Sequence, residues 1–129
     1  ALIRALYGLS AYHCGGGELV TAHRVATQML QLSQHQNNAP SSSVSNGMLG
    51  SCLHWLGEFV SAREHLEQAL SLCLAEGHHS LVFIATGVDP RAVSLAYSAL
   101  DLLILGYAEQ ALSRSEYALA RSRQGQHPL

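Results

Sequence analysis

Two stretches of this chain repeat each other. Residues 57–70, GEFVSAREHLEQAL, and residues 106–119, GYAEQALSRSEYAL, each begin with Gly, carry Ala five residues later, and carry Ala-Leu twelve and thirteen residues later. A third and weaker copy begins at Gly17. A unit that recurs in this way cannot bury its apolar face alone, so neighbouring copies must stack into a shared core. The repetition therefore predicts a helical-repeat array.

The spacing of apolar residues predicts helices that pair into three hairpins within one domain. Apolar residues recur at three- and four-residue steps on both sides of each hairpin glycine. The domain is expected to cover residues 1–129, with hairpins at about 1–35, 43–76 and 90–124.

Two different links are expected between the hairpins. Residues 35–43, HQNNAPSSS, are polar and contain Pro40, so they predict a linker in which Ser41 to Ser43 offer N-caps. Residues 77–89 interrupt the helical pattern with a β-prone apolar run between glycines, and they predict an extended loop, with an extended segment or one helical turn as the alternatives. Pro90 after Asp89 is typical of a helix start.

The hairpin glycines and the spaced alanines resemble tetratricopeptide repeats. The middle unit matches best, with Gly50, Gly57, Phe59, Ala62, Leu66 and Ala69 at the positions that the family's pattern uses. In the third unit Ala99 stands in place of Gly50, the small residue at which the two helices approach. The resemblance implies an all-α fold, a right-handed superhelical stack of about three hairpins.

The spacing between the units departs from that family. Gly17 and Gly57 are 40 residues apart, and Gly57 and Gly106 are 49 residues apart. A tetratricopeptide unit has roughly 34 residues. We expect the additional residues to lie in the links between hairpins, and the hairpins themselves to be regular.

A narrower resemblance covers about Ala5 to Arg123. This part of the chain is similar to the helical tails of large bacterial signalling ATPases and nucleotide cyclases, in which a regulatory P-loop ATPase precedes a tetratricopeptide tail. The resemblance implies a fragment of a larger cytoplasmic signalling protein whose catalytic parts lie elsewhere. It also implies a non-catalytic, regulatory scaffold that binds a protein or peptide.

Composition excludes several classes of partner. Charged residues make up 12% of the chain and the formal charge is −2, whereas an average domain has about 25% charged residues. There is no basic footprint for nucleic acid or anionic lipid, and no apolar stretch long enough to predict a membrane span. So low a share of charged residues suggests that part of the surface contacts other protein, either in a longer chain or in an oligomer. The start at Ala1, without a signal-peptide pattern, predicts a piece of a larger cytosolic protein.

The sequence offers little sign of chemistry. The chain has no lysine, so it lacks the P-loop motif. Its eight histidines and three cysteines lack the spacings typical of metal sites or of a disulfide scaffold. His13 and Cys14, beside three glycines, are the most suggestive nucleophile pair, but a helix end explains them better. We expect no metal, no cofactor and no enzymatic activity.

The tetratricopeptide resemblance implies that the first helix of each hairpin lines a concave binding face. In the first two units, this face includes Arg, Tyr, His and Trp, which are residue types that anchor interfaces. The full set from these two units is Arg4, Tyr7, Ala11, Val44, Gly47, Ser51, His54 and Trp55. Trp55 has an alternative interpretation as a packing residue at the hairpin. The third unit supplies only the aliphatic residues Val93, Ala96, Leu100 and Leu103. That face is expected to pack on a further repeat or on a second copy of the chain.

Asp101 is the most unusual single residue, because it lies in the otherwise apolar helix SALDLLILG. A buried carboxylate is costly unless it is paired. It is therefore expected either to bond to a neighbouring helix or to the 77–90 loop, or to contact a ligand in the groove. Two alternative functions follow: a small-molecule sensor with a pocket near Asp101 and that loop, and an oligomerisation module that dimerises through apolar end faces.

Overall fold

The chain is all-α in the part that the structure, a computed structural model, describes: residues 2–76 and 90–124. The helices are α1 (Leu2–Gly15), α2 (Leu19–His35), α3 (Ala39–Trp55), α4 (Phe59–Glu76), α5 (Pro90–Ile104) and α6 (Ala108–Gln124). The predicted all-α class is confirmed for these residues. No helix among these is long and apolar enough to cross a membrane. The extended loop predicted for 77–89 lies outside the described residues.

Four of the turns between helices have one geometry. Each contains a residue with positive φ, and these are Gly17 (80°), Asn37 (50°), Gly57 (84°) and Gly106 (95°). In the third turn the Gly57 N–H donates to the carbonyl of His54 at 3.0 Å, and the Glu58 N–H donates to the carbonyl of Leu53 at 2.9 Å. The other three turns repeat both bonds at the same sequence separations. This pair of bonds closes the open end of a helix and reverses the chain.

The linker predicted for residues 35–43 is wrong. Helix α2 continues to His35 and α3 already begins at Ala39, so the second hairpin starts four residues before the predicted position 43. Asn37 adopts the left-handed conformation that glycine adopts in the other turns, and Asn is the residue that tolerates it best after Gly.

The N-cap of α3 also differs from the prediction. The cap is Asn38, whose Oδ1 accepts a hydrogen bond from the Ser41 N–H at 3.1 Å, in place of the predicted Ser41 to Ser43. The 40-residue spacing between the first two units therefore comes from long helices, because α2 and α3 have 17 residues each. It does not come from a stretched link.

The helices stack in chain order. Each helix packs on the next, and α3 also contacts both α1 and α5, so the first helices of the three hairpins lie side by side. The repeated alanines Ala22, Ala62 and Ala111, five residues after each hairpin glycine, are all buried. This recurring alanine position therefore belongs to the core in all three units.

Gly50 allows a close approach of the two helices in the second hairpin. A Cβ atom at this position would lie 2.6 Å from Cγ of Leu66 and 3.1 Å from the carbonyl oxygen of Ala62. Real Cβ atoms do not come so near to other heavy atoms, so α3 and α4 pack as they do because residue 50 has no side chain. The small inter-helix position assigned from the sequence is thus a point of direct contact.

Candidate binding groove

A groove of about 380 Å³ lies along the first helices of all three hairpins. Its walls come from α1, α3 and α5, and its lining residues are Tyr7, Ala11, Cys14, Gly15, Val44, Gly47, Met48, Ser51, Trp55, Val93, Ser94 and Tyr97. None of these is charged, so the described wall is apolar with hydroxyl, thiol and indole groups. We call this surface the α1–α3–α5 groove.

Three of the predicted partner-binding residues lie in this groove: Tyr7, Ser51 and Trp55. Trp55 is 56% exposed, so its ring is accessible to a ligand and is not merely a packing residue. Arg4 is exposed on α1 but is not among the lining residues. Of the other residues assigned to the concave face, Ala11, Val44, Gly47 and Val93 line the groove, whereas Ala96, Leu100 and Leu103 are exposed outside it.

His54 was predicted on the concave surface, and the structure corrects this placement. For Asp101, a buried bond and a ligand contact in the groove were both open. Nδ1 of His54 lies 2.6 Å from Oδ1 of Asp101, with the two side chains only 8% and 0% exposed. The pair joins α3 to α5 inside the stack. Of the two interpretations of Asp101, the geometry matches the bond to a neighbouring helix. A small-molecule site at Asp101 receives no support, because a fully buried carboxyl cannot meet a ligand in this conformation.

Aromatic rings surround the imidazole of His54. Its ring centroid lies 5.2 Å from that of Trp55, 5.6 Å from that of Phe59 and 5.0 Å from that of Tyr97. The contacts with Trp55 and Phe59 are edge-to-face, a geometry that adds to the stability gained by burial, and the contact with Tyr97 is tilted. The indole N–H of Trp55 donates to the hydroxyl oxygen of Tyr97 at 3.0 Å. The cluster therefore fixes two aromatic residues of the groove against the buried His54–Asp101 pair.

The environment of Asp101 opposes its ionisation. Burial raises the pKa of the Asp101 carboxyl above its ordinary value of 3.8, and the hydrogen bond and charge interaction with His54 only partly lower it again. Its second oxygen, Oδ2, has no hydrogen-bond partner among the described residues. A buried acceptor without a donor costs free energy. This cost explains why burial raises the pKa of Asp101 more than the pairing with His54 lowers it.

Small residues let α3 and α5 approach each other in the groove wall. A Cβ on Gly47 would lie 3.0 Å from Oγ of Ser94, so α3 and α5 are close at this point. The Ser51 hydroxyl donates to the carbonyl of Gly47 at 2.9 Å. Burial raises the pKa of Tyr7, so its phenol remains neutral. The groove thus offers ring faces and neutral hydroxyls, which suit an uncharged ligand segment.

Sequence reasoning missed Tyr97. The third unit was expected to supply only aliphatic side chains to the concave face. In the structure, Tyr97 contributes a ring to the groove and accepts the hydrogen bond from Trp55. The sequence did contain a signal for this position. Tyr97 stands nine residues before Gly106, as Met48 stands nine residues before Gly57, and both line the groove. Comparing positions relative to each hairpin glycine would have found it.

Two contacts on the second helices fix the second hairpin to the third. Nη2 of Arg114 lies 2.6 and 2.7 Å from the two carboxylate oxygens of Glu67, which joins α6 to α4. The guanidinium of Arg63 lies 5.5 Å from the ring centroid of Tyr107, within cation–π distance.

The suspected nucleophile pair is not assembled as a dyad. Nδ1 of His13 lies 3.4 Å from Oε2 of Glu18, so this nitrogen faces a carboxylate instead of Cys14. Within residues 2–76 and 90–124, no group of three His, Cys, Asp or Glu side chains could hold a metal ion.

Comparison with protein-family models, with characterised proteins and with solved structures found no significant match.

Proposed function

We propose that this chain is a tetratricopeptide-like interaction module whose α1–α3–α5 groove binds an uncharged, partly apolar segment of a protein partner. The observation that carries the proposal is that the first helices of three successive hairpins form one groove, with Tyr7, Trp55 and Tyr97 in its wall. Aromatic side chains in concave sites are frequent anchors of binding energy. The proposed role is non-catalytic.

The construction of the groove supports binding without large rearrangement. Its side chains stand on helices, and Trp55 and Tyr97 are already held by a hydrogen bond and by ring contacts. A site that is ordered before binding loses less conformational entropy when the ligand arrives. The absence of charge from the described wall favours a partner segment that is itself neutral where it enters the groove.

The wider setting that we propose is regulatory. The resemblance to the tails of bacterial signalling proteins supports a cytoplasmic scaffold segment of a larger protein, stacked as a right-handed superhelix. The contacts between α1, α3 and α5 are of the kind that such a stack requires. In this role the groove presents a fixed surface, and catalysis belongs to other parts of the assembly.

Selection from a displayed library of random peptides tests the proposal. Trp55 is the only tryptophan of the chain, and it lies at the groove. Its emission should therefore change when a selected peptide binds. Ala11→Phe places a ring into the groove from an exposed position of α1. It should weaken binding at least tenfold, about 1.4 kcal/mol.

Ala5→Phe is the matched control, because Ala5 is exposed on the same helix but is not a lining residue. This variant should bind the selected peptides as the unaltered chain does. Peptides that bind both variants equally, or a selection that enriches no sequence, would count against the groove as the binding surface.

Self-association is the second candidate function, favoured by apolar exposure at the end of the array. Leu103, Ile104, Leu112 and Leu119 on α5 and α6 are each more than half exposed. Terminal repeats normally carry a polar outer face, so a homodimer through this end would cover these side chains. Light scattering over a hundredfold concentration range tests it. Leu112→Glu should reduce a concentration-dependent mass, and a constant monomer mass would exclude the dimer.

A further inference from the structure

We propose that Cys14 and Cys52 are an oxidation site, at which a peroxide converts the two thiols into a reversible disulfide between α1 and α3. This inference concerns the chemistry of the chain itself and does not depend on what the groove binds.

The helix geometry brings the two thiols to the same place. Ser10 and Cys14 are four residues apart on α1, so they lie on one face of that helix, one turn apart. The Ser10 hydroxyl lies 3.9 Å from Sγ of Cys52 on α3. Cys14 packs against the buried cluster that contains Cys52. The side chain of Cys14 therefore meets α3 next to Cys52.

The two thiols differ in access to solvent. Cys52 is 0% exposed, whereas Cys14 is only partly buried and lines the α1–α3–α5 groove. Burial, with the neighbouring Cys14 as the second cause, raises the pKa of Cys52 to about 11. Cys14 is thus the thiol that a solvent-borne oxidant reaches, and Cys52 is the thiol that resolves the product.

The reaction balances with a peroxide as the oxidant. The sulfur of Cys14 attacks one peroxide oxygen, the O–O bond breaks, and Cys14 becomes a sulfenic acid while water leaves. The sulfur of Cys52 then attacks the sulfur of Cys14, the S–O bond breaks, and the departing hydroxide takes the Cys52 proton as water. Two thiols lose two electrons and two protons, and hydrogen peroxide is reduced to two waters. Thiol–disulfide exchange with a reduced dithiol reverses the bond.

The consequence lies at the groove wall. A disulfide draws the Cys14 side chain towards Cys52 and links α1 covalently to α3. Because Cys14 is a lining residue, oxidation changes the wall where the first hairpin meets the second.

Peptide mapping tests the inference on the complete chain. Hydrogen peroxide is added, remaining thiols are alkylated, and the denatured chain is cut with trypsin. Because the chain has arginine but no lysine, cleavage after Arg4, Arg24, Arg63 and Arg91 puts each cysteine in its own peptide. We expect residues 5–24 linked to residues 25–63, with Cys73 alkylated in residues 64–91. The linked species should weigh two hydrogens less than the two free peptides together, and dithiothreitol should separate it.

Two variants sharpen the result without disturbing the buried Cys52. Cys73→Ser should retain the link, and Cys14→Ser should abolish it and leave Cys52 reduced. A link to Cys73, a link between chains, or Cys14 oxidised to the sulfinic acid with Cys52 still reduced would overturn the inference. So would two reduced thiols at a peroxide dose that oxidises a reference dithiol protein.

Discussion

Nδ1 of His54 on α3 and Oδ1 of Asp101 on α5 share a hydrogen bond of 2.6 Å, and both side chains are buried between the second and third hairpins. The same imidazole is packed among the rings of Trp55, Phe59 and Tyr97. The pair therefore connects the interior of the stack to the groove, because Trp55 and Tyr97 contact the His54 ring and also line the groove.

Removing His54 should strongly destabilise the chain. In His54→Ala the carboxyl of Asp101 loses its one described partner, and breaking a buried pair in this way costs about 3–5 kcal/mol of unfolding free energy. Urea unfolding measures it. His35→Ala is the control, because His35 is exposed at the end of α2, and we expect a change of no more than about 0.5 kcal/mol. Equal effects of the two substitutions would contradict the role of the pair.

Asp101→Asn should alter how stability depends on pH. Burial raises the pKa of Asp101 above 3.8 in the folded chain. In the pH window between 3.8 and that raised pKa, the folded state therefore holds more protons than the unfolded state. The contribution of Asp101 to stability is then greatest below pH 3.8 and is lost as pH rises through the folded pKa. Asn keeps an acceptor for His54 and does not ionise. Relative to the unaltered chain, the variant should gain stability as pH rises through this window.

Urea unfolding at a series of pH values measures that difference. Glu116→Gln removes an exposed carboxylate from α6 and is the control. A difference between Asp101→Asn and the unaltered chain that stays constant with pH, or that shrinks as pH rises, would refute a raised pKa.

Gly50→Ala should be destabilising because its methyl group would overlap Leu66. Forcing additional atoms into a packed interface typically costs about 1–3 kcal/mol. Gly8→Ala is the matched substitution, because nothing lies within 4 Å of a Cβ at that helical position. There the change should stabilise by about 0.5–1 kcal/mol. Thermal unfolding of both variants measures these changes in stability. If Gly50→Ala left the stability unchanged, α3 and α4 would not be in close contact.

Asn37 gives a test of the α2–α3 turn. Its φ of 50° is the left-handed conformation, which costs a residue other than Gly, Asn or Asp about 1–2 kcal/mol. Asn37→Ala should therefore lower the free energy of unfolding by about that amount, and Asn37→Gly should leave it unchanged or raise it. Should both substitutions prove neutral, the turn at residues 36–38 would not have the geometry of the glycine turns.

Much of the fold could be predicted from sequence because the repeat pattern reports directly on packing. The alanines five residues after each hairpin glycine are buried, and Gly50 forms the expected close contact. The α2–α3 link could not be predicted in the same way. Its polar residues and Pro40 resembled a linker, but Asn can replace Gly in a left-handed turn and Pro is tolerated in the first turn of a helix.

The candidate site was predicted less completely. Tyr7, Ser51 and Trp55 lie in the groove, on the face that the tetratricopeptide resemblance implied for them. His54 was misplaced because it is adjacent to Trp55 and was assigned to the same face, whereas adjacent residues on a helix point in directions about 100° apart. Its partner Asp101 is 47 residues away in sequence. No local pattern can reveal such a pairing.

The most direct test of the central claim is a map of backbone amide chemical shifts by NMR as a library-selected peptide is added. If the α1–α3–α5 groove is the binding surface, the largest changes should fall around Ala11, Ser51 and Tyr97, and they should disappear in Ala11→Phe. Changes concentrated on α6 around Leu112 and Leu119, or retained in Ala11→Phe, would contradict the account and place the interaction on the end of the array.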